Sequence, residues 1–142
     1  MQYGKGQILK EGSKDGNNAG GNVAIIAVGS MVEETYKAID MLEKENVHPA
    51  FVNPVFIKPM DTELIKRVAE NHKHIIVVEE GIKKGGFGES VETFILESGI
   101  DADVQVMAID DRFVEQGNVA LLREEIGISY KNIYEKVMEL TR

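Results

Sequence analysis

Six apolar residues follow one another in Val23-Ala24-Ile25-Ile26-Ala27-Val28, and Ile75-Ile76-Val77-Val78 has the same unbroken character. Successive residues of a strand point to opposite sides of the sheet, so a strand with one wet face alternates apolar and polar side chains. A run without alternation belongs to a strand covered on both faces, as in a parallel sheet packed between helices. The segments between the runs supply those helices. After Gly29, Ser30 with Glu33 three residues on forms a capping box, and Val32, Tyr36, Ile39 and Leu42 give a helical stripe that ends near Asn46.

The same unit recurs along the chain. Ala50 to Val55 reads as a strand, with Pro54 at its end because proline removes a ladder donor. Asp61 then caps a helix that buries Leu64, Ile65 and Val68, with Met60 and Ile65 placed as a hydrophobic staple. Ile75 to Glu79 is the next strand, followed by a glycine-rich turn and a helix carrying Val91, Phe94 and Ile95; Val104 to Ile109 is the next strand. Two helices close the chain, one from about Asn118 to Glu125 and one starting at Ser129 with Ile133, Val137 and Leu140 inward. Ahead of a loop at Ser13–Asn22, rich in glycine and asparagine, Gln7 to Glu11 reads as a short edge strand. The predicted fold class is α/β: an open, mostly parallel five-stranded sheet with helices on both faces, the first strand antiparallel at an edge. Residues 1–142 are expected to form a single domain.

Composition narrows the function classes. Cysteine is absent, which excludes disulfides, thiolate metal sites and a cysteine nucleophile. Sixteen basic against twenty-four acidic residues give a net charge of −8, and the lysines are scattered singly apart from Lys83-Lys84. Such a chain repels phosphate backbones, so no nucleic-acid partner is expected. No apolar run approaches the roughly 20 residues of a membrane-spanning helix. With no basic, apolar leader in view, no membrane partner and a cytoplasmic location are expected.

Ligands of open α/β sheets bind beyond the carboxyl ends of the strands. Gly29-Ser30, Phe56 to Asp61, Glu79 to Gly88 and Asp110 to Gly117 fall there. Gly29-Ser30 could receive an anion at a helix start, but no dinucleotide fingerprint or P-loop accompanies it, and Ser30 already serves as a cap. Glu79 and Glu80, before glycines at 85, 86 and 88, could hold a cation or exchange a proton. The plainer reading is a tight turn whose glycines let the helix pack, with the glutamates solvated or paired. Asp110-Asp111-Arg112-Phe113 reads more simply as an internal Asp–Arg pair beside a core or interface ring than as an anion site. His72 and His74 flank Lys73 without a third ligand at metal-site spacing, and His48 reads as solvated. The residues by themselves define no nucleophile–base pair, metal cluster or phosphate loop.

Their order resembles a known family. Gly4-Lys5-Gly6 with Ile8-Leu9 and Glu11-Gly12 precedes Val28-Gly29-Ser30; then come Asn53 to Asp61, and Val78-Glu79-Glu80 with Gly85-Gly86-Phe87-Gly88. This succession is similar to the C-terminal domain shared by transketolases, 2-oxo acid dehydrogenase beta subunits and deoxyxylulose 5-phosphate synthases. Asp111-Arg112-Phe113-Val114-Glu115-Gln116-Gly117 resembles a segment of the synthase branch, with Asp110 where that branch has proline and Gln116 where it has histidine. The resemblance implies a parent enzyme that joins decarboxylated pyruvate to glyceraldehyde 3-phosphate for isoprenoid, thiamine and pyridoxal synthesis. It also implies thiamine diphosphate and magnesium in the preceding domains, which this chain lacks, and a homodimer.

For this chain the resemblance implies no catalytic, cofactor or metal residue, but a packing and dimer-contact role. Glu79, Glu80, Gly85, Gly86, Gly88 and Arg112 are the interface candidates, and the isolated chain is expected to catalyse nothing. Alternatives are a transketolase or 2-oxo acid dehydrogenase branch, a free-standing flavodoxin-like binding module, and an assembly subunit of a split enzyme.

Overall fold

A computed structural model describes residues 6–12, 21–29, 31–54, 60–79, 86–108 and 129–141. Five strands are present: β1 (Gln7–Lys10), β2 (Val23–Ala27), β3 (Ala50–Asn53), β4 (His74–Glu79) and β5 (Asp103–Ala108). Four helices accompany them: α1 (Met31–Lys44), α2 (Thr62–Asn71), α3 (Phe87–Glu97) and α4 (Tyr130–Thr141). The sheet order is β1-β3-β2-β4-β5. The four inner and later strands run parallel, while β1 lies antiparallel on β3 at one edge. The expected architecture is therefore observed, including the antiparallel edge strand.

The unbroken apolar runs have the predicted cause. Val23, Ile25 and Ala27 of β2 face one way, against Met31, Ile39 and Leu42 of α1 and Ile133 and Val137 of α4. Ala24 and Ile26 face the other way, against Leu64, Ile65 and Val68 of α2 and Phe87, Val91 and Ile95 of α3. Every residue of β2 is fully buried, so neither face has room for a polar side chain. Each layer removes a row of branched side chains from water, at about 1.5–3 kcal/mol per large side chain before chain entropy is counted.

One helix face differs from expectation. Tyr36, predicted inward, is 44% exposed and lays its ring edge-on to Phe51 at a centroid separation of 4.9 Å. The buried stripe of α1 includes Ile39 and Leu42 as predicted and is completed by Met31, Glu34, Thr35 and Ala38. Thr35 satisfies its hydroxyl by donating to the Met31 carbonyl at 2.7 Å, and so tolerates burial. Asn46, with φ of 61°, turns the chain out of α1. Strand β3 ends at Asn53, just before Pro54, and β5 is described as far as Ala108; Val55 and Ile109, the predicted limits, lie outside the described residues. Ser30 and the expected helix at 118–125 lie outside the described residues.

Candidate functional site

The carboxyl ends of β2, β3 and β4 form one rim of the sheet, and among the described residues Glu79, Gly86 and Gly88 lie there. Glu79 is the last residue of β4 and is only 6% exposed. Its Oε2 accepts the Phe87 N–H at 2.9 Å and its Oε1 accepts the Gly88 N–H at 3.0 Å. These are free donors of the first turn of α3, whose N-cap position, Gly86, has no side chain to offer. The carboxylate thus replaces the missing cap from another element, and its charge sits at the positive end of the helix dipole.

Gly88 has a steric reason to be glycine. A Cβ built there would meet the two Val106 methyls at 2.5 and 2.9 Å and Glu79 Oε1 at 3.0 Å. The helix therefore lies close against β5 and against its own capping carboxylate. Gly86 is half-buried in extended backbone, at φ of −84°. Glu80, Gly85 and Arg112 lie outside the described residues. Of the six interface candidates, Glu79, Gly86 and Gly88 are thus brought together, with Glu79 and Gly88 beneath the surface rather than on it.

Two further buried carboxylates have the same employment. Asp61, 8% exposed, caps α2 by accepting the Leu64 N–H at 3.1 Å, as the sequence predicts. Glu34, on the inner side of α1, accepts the Tyr130 N–H at 2.9 Å and so holds the first turn of α4, 96 residues away. Its other oxygen lies 3.4 Å from Lys37 Nζ. Sequence reasoning missed Glu34; its signal is a glutamate on the same stripe as Met31 and Ala38.

No group of three or more His, Asp or Glu side chains among the described residues could hold a metal ion. Both oxygens of Glu79 and of Asp61 accept backbone N–H groups, while Glu34 divides its oxygens between the Tyr130 N–H and Lys37, an arrangement that does not fit magnesium or a diphosphate. The histidines are engaged locally. His72 Nδ1 is 2.8 Å from the Val68 carbonyl, and His74 Nδ1 is 3.5 Å from Asp103 Oδ2. His48, with 32% of its side chain exposed, places Nε2 3.1 Å from Asn46 Oδ1. Gly29 adopts φ of 62° with open space around it. No described helix is long and apolar enough to cross a membrane.

A sheet of this order covered by helices on both faces, with a buried glutamate at the end of β4 capping the helix that follows, is shared with known proteins. Residues 7–133 match the family "Transketolase, C-terminal domain", and the chain belongs to that family. Among curated relatives, it is 37% identical over 142 residues to the 1-deoxy-D-xylulose-5-phosphate synthase of Dehalococcoides mccartyi, which covers 99% of this chain and 21% of that protein. The synthase of Heliobacterium modesticaldum is 36% identical over 140 residues, covering 99% of this chain and 20% of the relative. The chain therefore spans about a fifth of the length of the relatives it matches. Among solved structures, a chain described as "Split gene transketolase, inactive beta4 tetramer" superposes with a TM-score of 0.82 at 27% identity, over 100% of this chain and 45% of that one.

Proposed function

We propose that this chain is the C-terminal, packing and dimer-contact domain of a 1-deoxy-D-xylulose-5-phosphate synthase. The observation that carries the reading is similarity over 99% of the chain to synthases about five times its length. In the parent enzyme, pyruvate would lose CO2 and its two-carbon remainder would join glyceraldehyde 3-phosphate, chemistry that thiamine diphosphate with Mg2+ would supply. Those groups belong to the preceding domains of a cytoplasmic homodimer. No step passes through the residues described here.

What this domain contributes is a shaped rim. Gln7 of β1 pairs with Asn53, the last residue of β3, so the antiparallel first strand begins at the carboxyl end of the parallel strands. The chain thus reaches the sheet at the same end as Glu79, Gly86 and Gly88. A domain joined ahead of β1 starts from that end, which supports the rim as the surface facing the rest of the enzyme. Glu79 and Gly88 act there by holding the first turn of α3, while Glu80, Gly85, Gly86 and Arg112 are the proposed contacts.

The test is the size of the native polypeptide in source cells, by immunoblot against this chain, together with carboligation of pyruvate and glyceraldehyde 3-phosphate. A band several times larger than 15.7 kDa with activity, and none for this chain alone, is the expected result. A native band at the size of this chain would sink the single-polypeptide reading. It would favour a subunit of a split enzyme, an arrangement named for the structural relative.

A further inference from the structure

A helix cap needs one acceptor, yet both oxygens of Asp61 are used. Oδ1 takes the Leu64 N–H of its own helix, and Oδ2 accepts the N–H of Gly6 at 2.9 Å, 55 residues earlier in the chain. The carboxylate is 8% exposed, so competition from water is small. Gly6 is wedged into the corner between the end of β3 and the start of α2. A Cβ on it would meet Leu64 Cδ2 at 2.6 Å, the Asn53 carbonyl oxygen at 3.0 Å and Pro54 Cα at 3.0 Å. Two of those three atoms are backbone, which cannot swing aside.

What is held in this way is the point where the chain joins the sheet. The strand that follows is a weak anchor: β1 has four residues, pairs on one side only, and its register shifts between Ile8 and Lys10. It cannot by itself set the direction of the polypeptide ahead of Gly6. We propose that Asp61 is a positioning residue, a two-way clamp that aims the incoming chain along the rim and thereby sets how this domain seats on the domains before it. The second half of that statement rests on the reading of the chain as a C-terminal domain; the clamp itself does not.

Asp61→Ser separates the two roles, since serine caps a helix as well as aspartate does but is too short to reach Gly6 as well. Gly6→Ala is the complementary change: it leaves the cap intact and forces the incoming chain out of its corner. Both are made in the native polypeptide and followed by hydrogen exchange over residues 6–10 and over α2. The carboligation rate and protease cleavage just ahead of Gly6 are measured on the same samples.

Exchange at Gly6 is expected to rise about tenfold in either variant while α2 stays protected. Cleavage ahead of Gly6 should quicken, and kcat should fall at least about threefold with KM unchanged, because seating alters assembly of the site and not substrate contacts. Unchanged exchange at Gly6 in both variants overturns the clamp. Faster exchange with unchanged cleavage and kcat overturns the positioning role. A native polypeptide no larger than this chain would instead remove the C-terminal-domain reading while leaving the exchange result standing.

Discussion

Replacing Gly88 by alanine adds one methyl group where the structure has no space for it. The new carbon would lie 2.5 and 2.9 Å from the two methyls of Val106 and 3.0 Å from Glu79 Oε1. Ordinary carbon–carbon contact is about 3.5–4.0 Å, so α3 and β5 must part or Val106 must turn. Turning is a poor remedy, because a β-branched side chain moves one methyl away by bringing the other in. Overpacking of this kind costs about 1–3 kcal/mol, and alanine's advantage over glycine in a helix returns at most about 1. Gly88 is the second residue of α3, where little of that interior advantage applies, so the net loss is about 1–2 kcal/mol. For a chain of this length that lowers Tm by about 3–6 °C.

Thermal and urea unfolding of Gly88→Ala, Val106→Ala and the double variant complete the assay. Val106→Ala removes both obstructing methyls, so the double variant should lose about 1 kcal/mol less than the sum of the single changes. A Gly88→Ala protein as stable as the parent, or strict additivity, would refute the close packing of α3 on β5 as the reason for this glycine.

Glu79→Ala leaves two buried N–H groups of α3 without an acceptor and should cost about 2–4 kcal/mol in urea unfolding, with Glu79→Gln intermediate because its amide oxygen can serve only one site. Glu34→Ala removes the acceptor for the Tyr130 N–H and should destabilise by about 1–2 kcal/mol, with hydrogen exchange accelerated first in α4; uniform acceleration across the sheet would contradict a local cap. Leu96 is 79% exposed, so Leu96→Gln should change the unfolding free energy of this chain by no more than about 0.5 kcal/mol; a larger loss would mean that α3 is covered by a second copy in solution.

The parts of the fold legible in the sequence are those decided by nearest neighbours along the chain. β2 and β4 follow from uninterrupted apolar runs, and α2 from an aspartate three residues ahead of the amide it caps. On α1 the sequence places Ile39 and Leu42 inward correctly but not Tyr36, because its apolar residues alone suggest a stripe through that ring. The packed stripe includes Glu34 and Thr35, whose polar atoms find partners that a helical wheel does not display. Glu34 is inward because α4 begins beside it, and Glu79 because the helix that follows lacks a capping side chain of its own. The second oxygen of Asp61 escaped notice for the same reason: Gly6 is near it in space and far from it in sequence.

The sheet order also sets a sequence of events during synthesis. Chains are made from the amino end, so β1 emerges well before β3, the strand it pairs with. Until Asn53 has been added, its backbone donors and acceptors have no native partner, and other unfinished chains offer the same kind of strand. Its four-residue length, its register shift between Ile8 and Lys10, and the charge of Lys10, paired at 3.1 Å with Glu43 once α1 exists, all make it a poor template for a stranger. The first strand of this sheet to be made is thus kept unattractive while it waits, and it docks at the edge only when the body of the sheet is there to receive it.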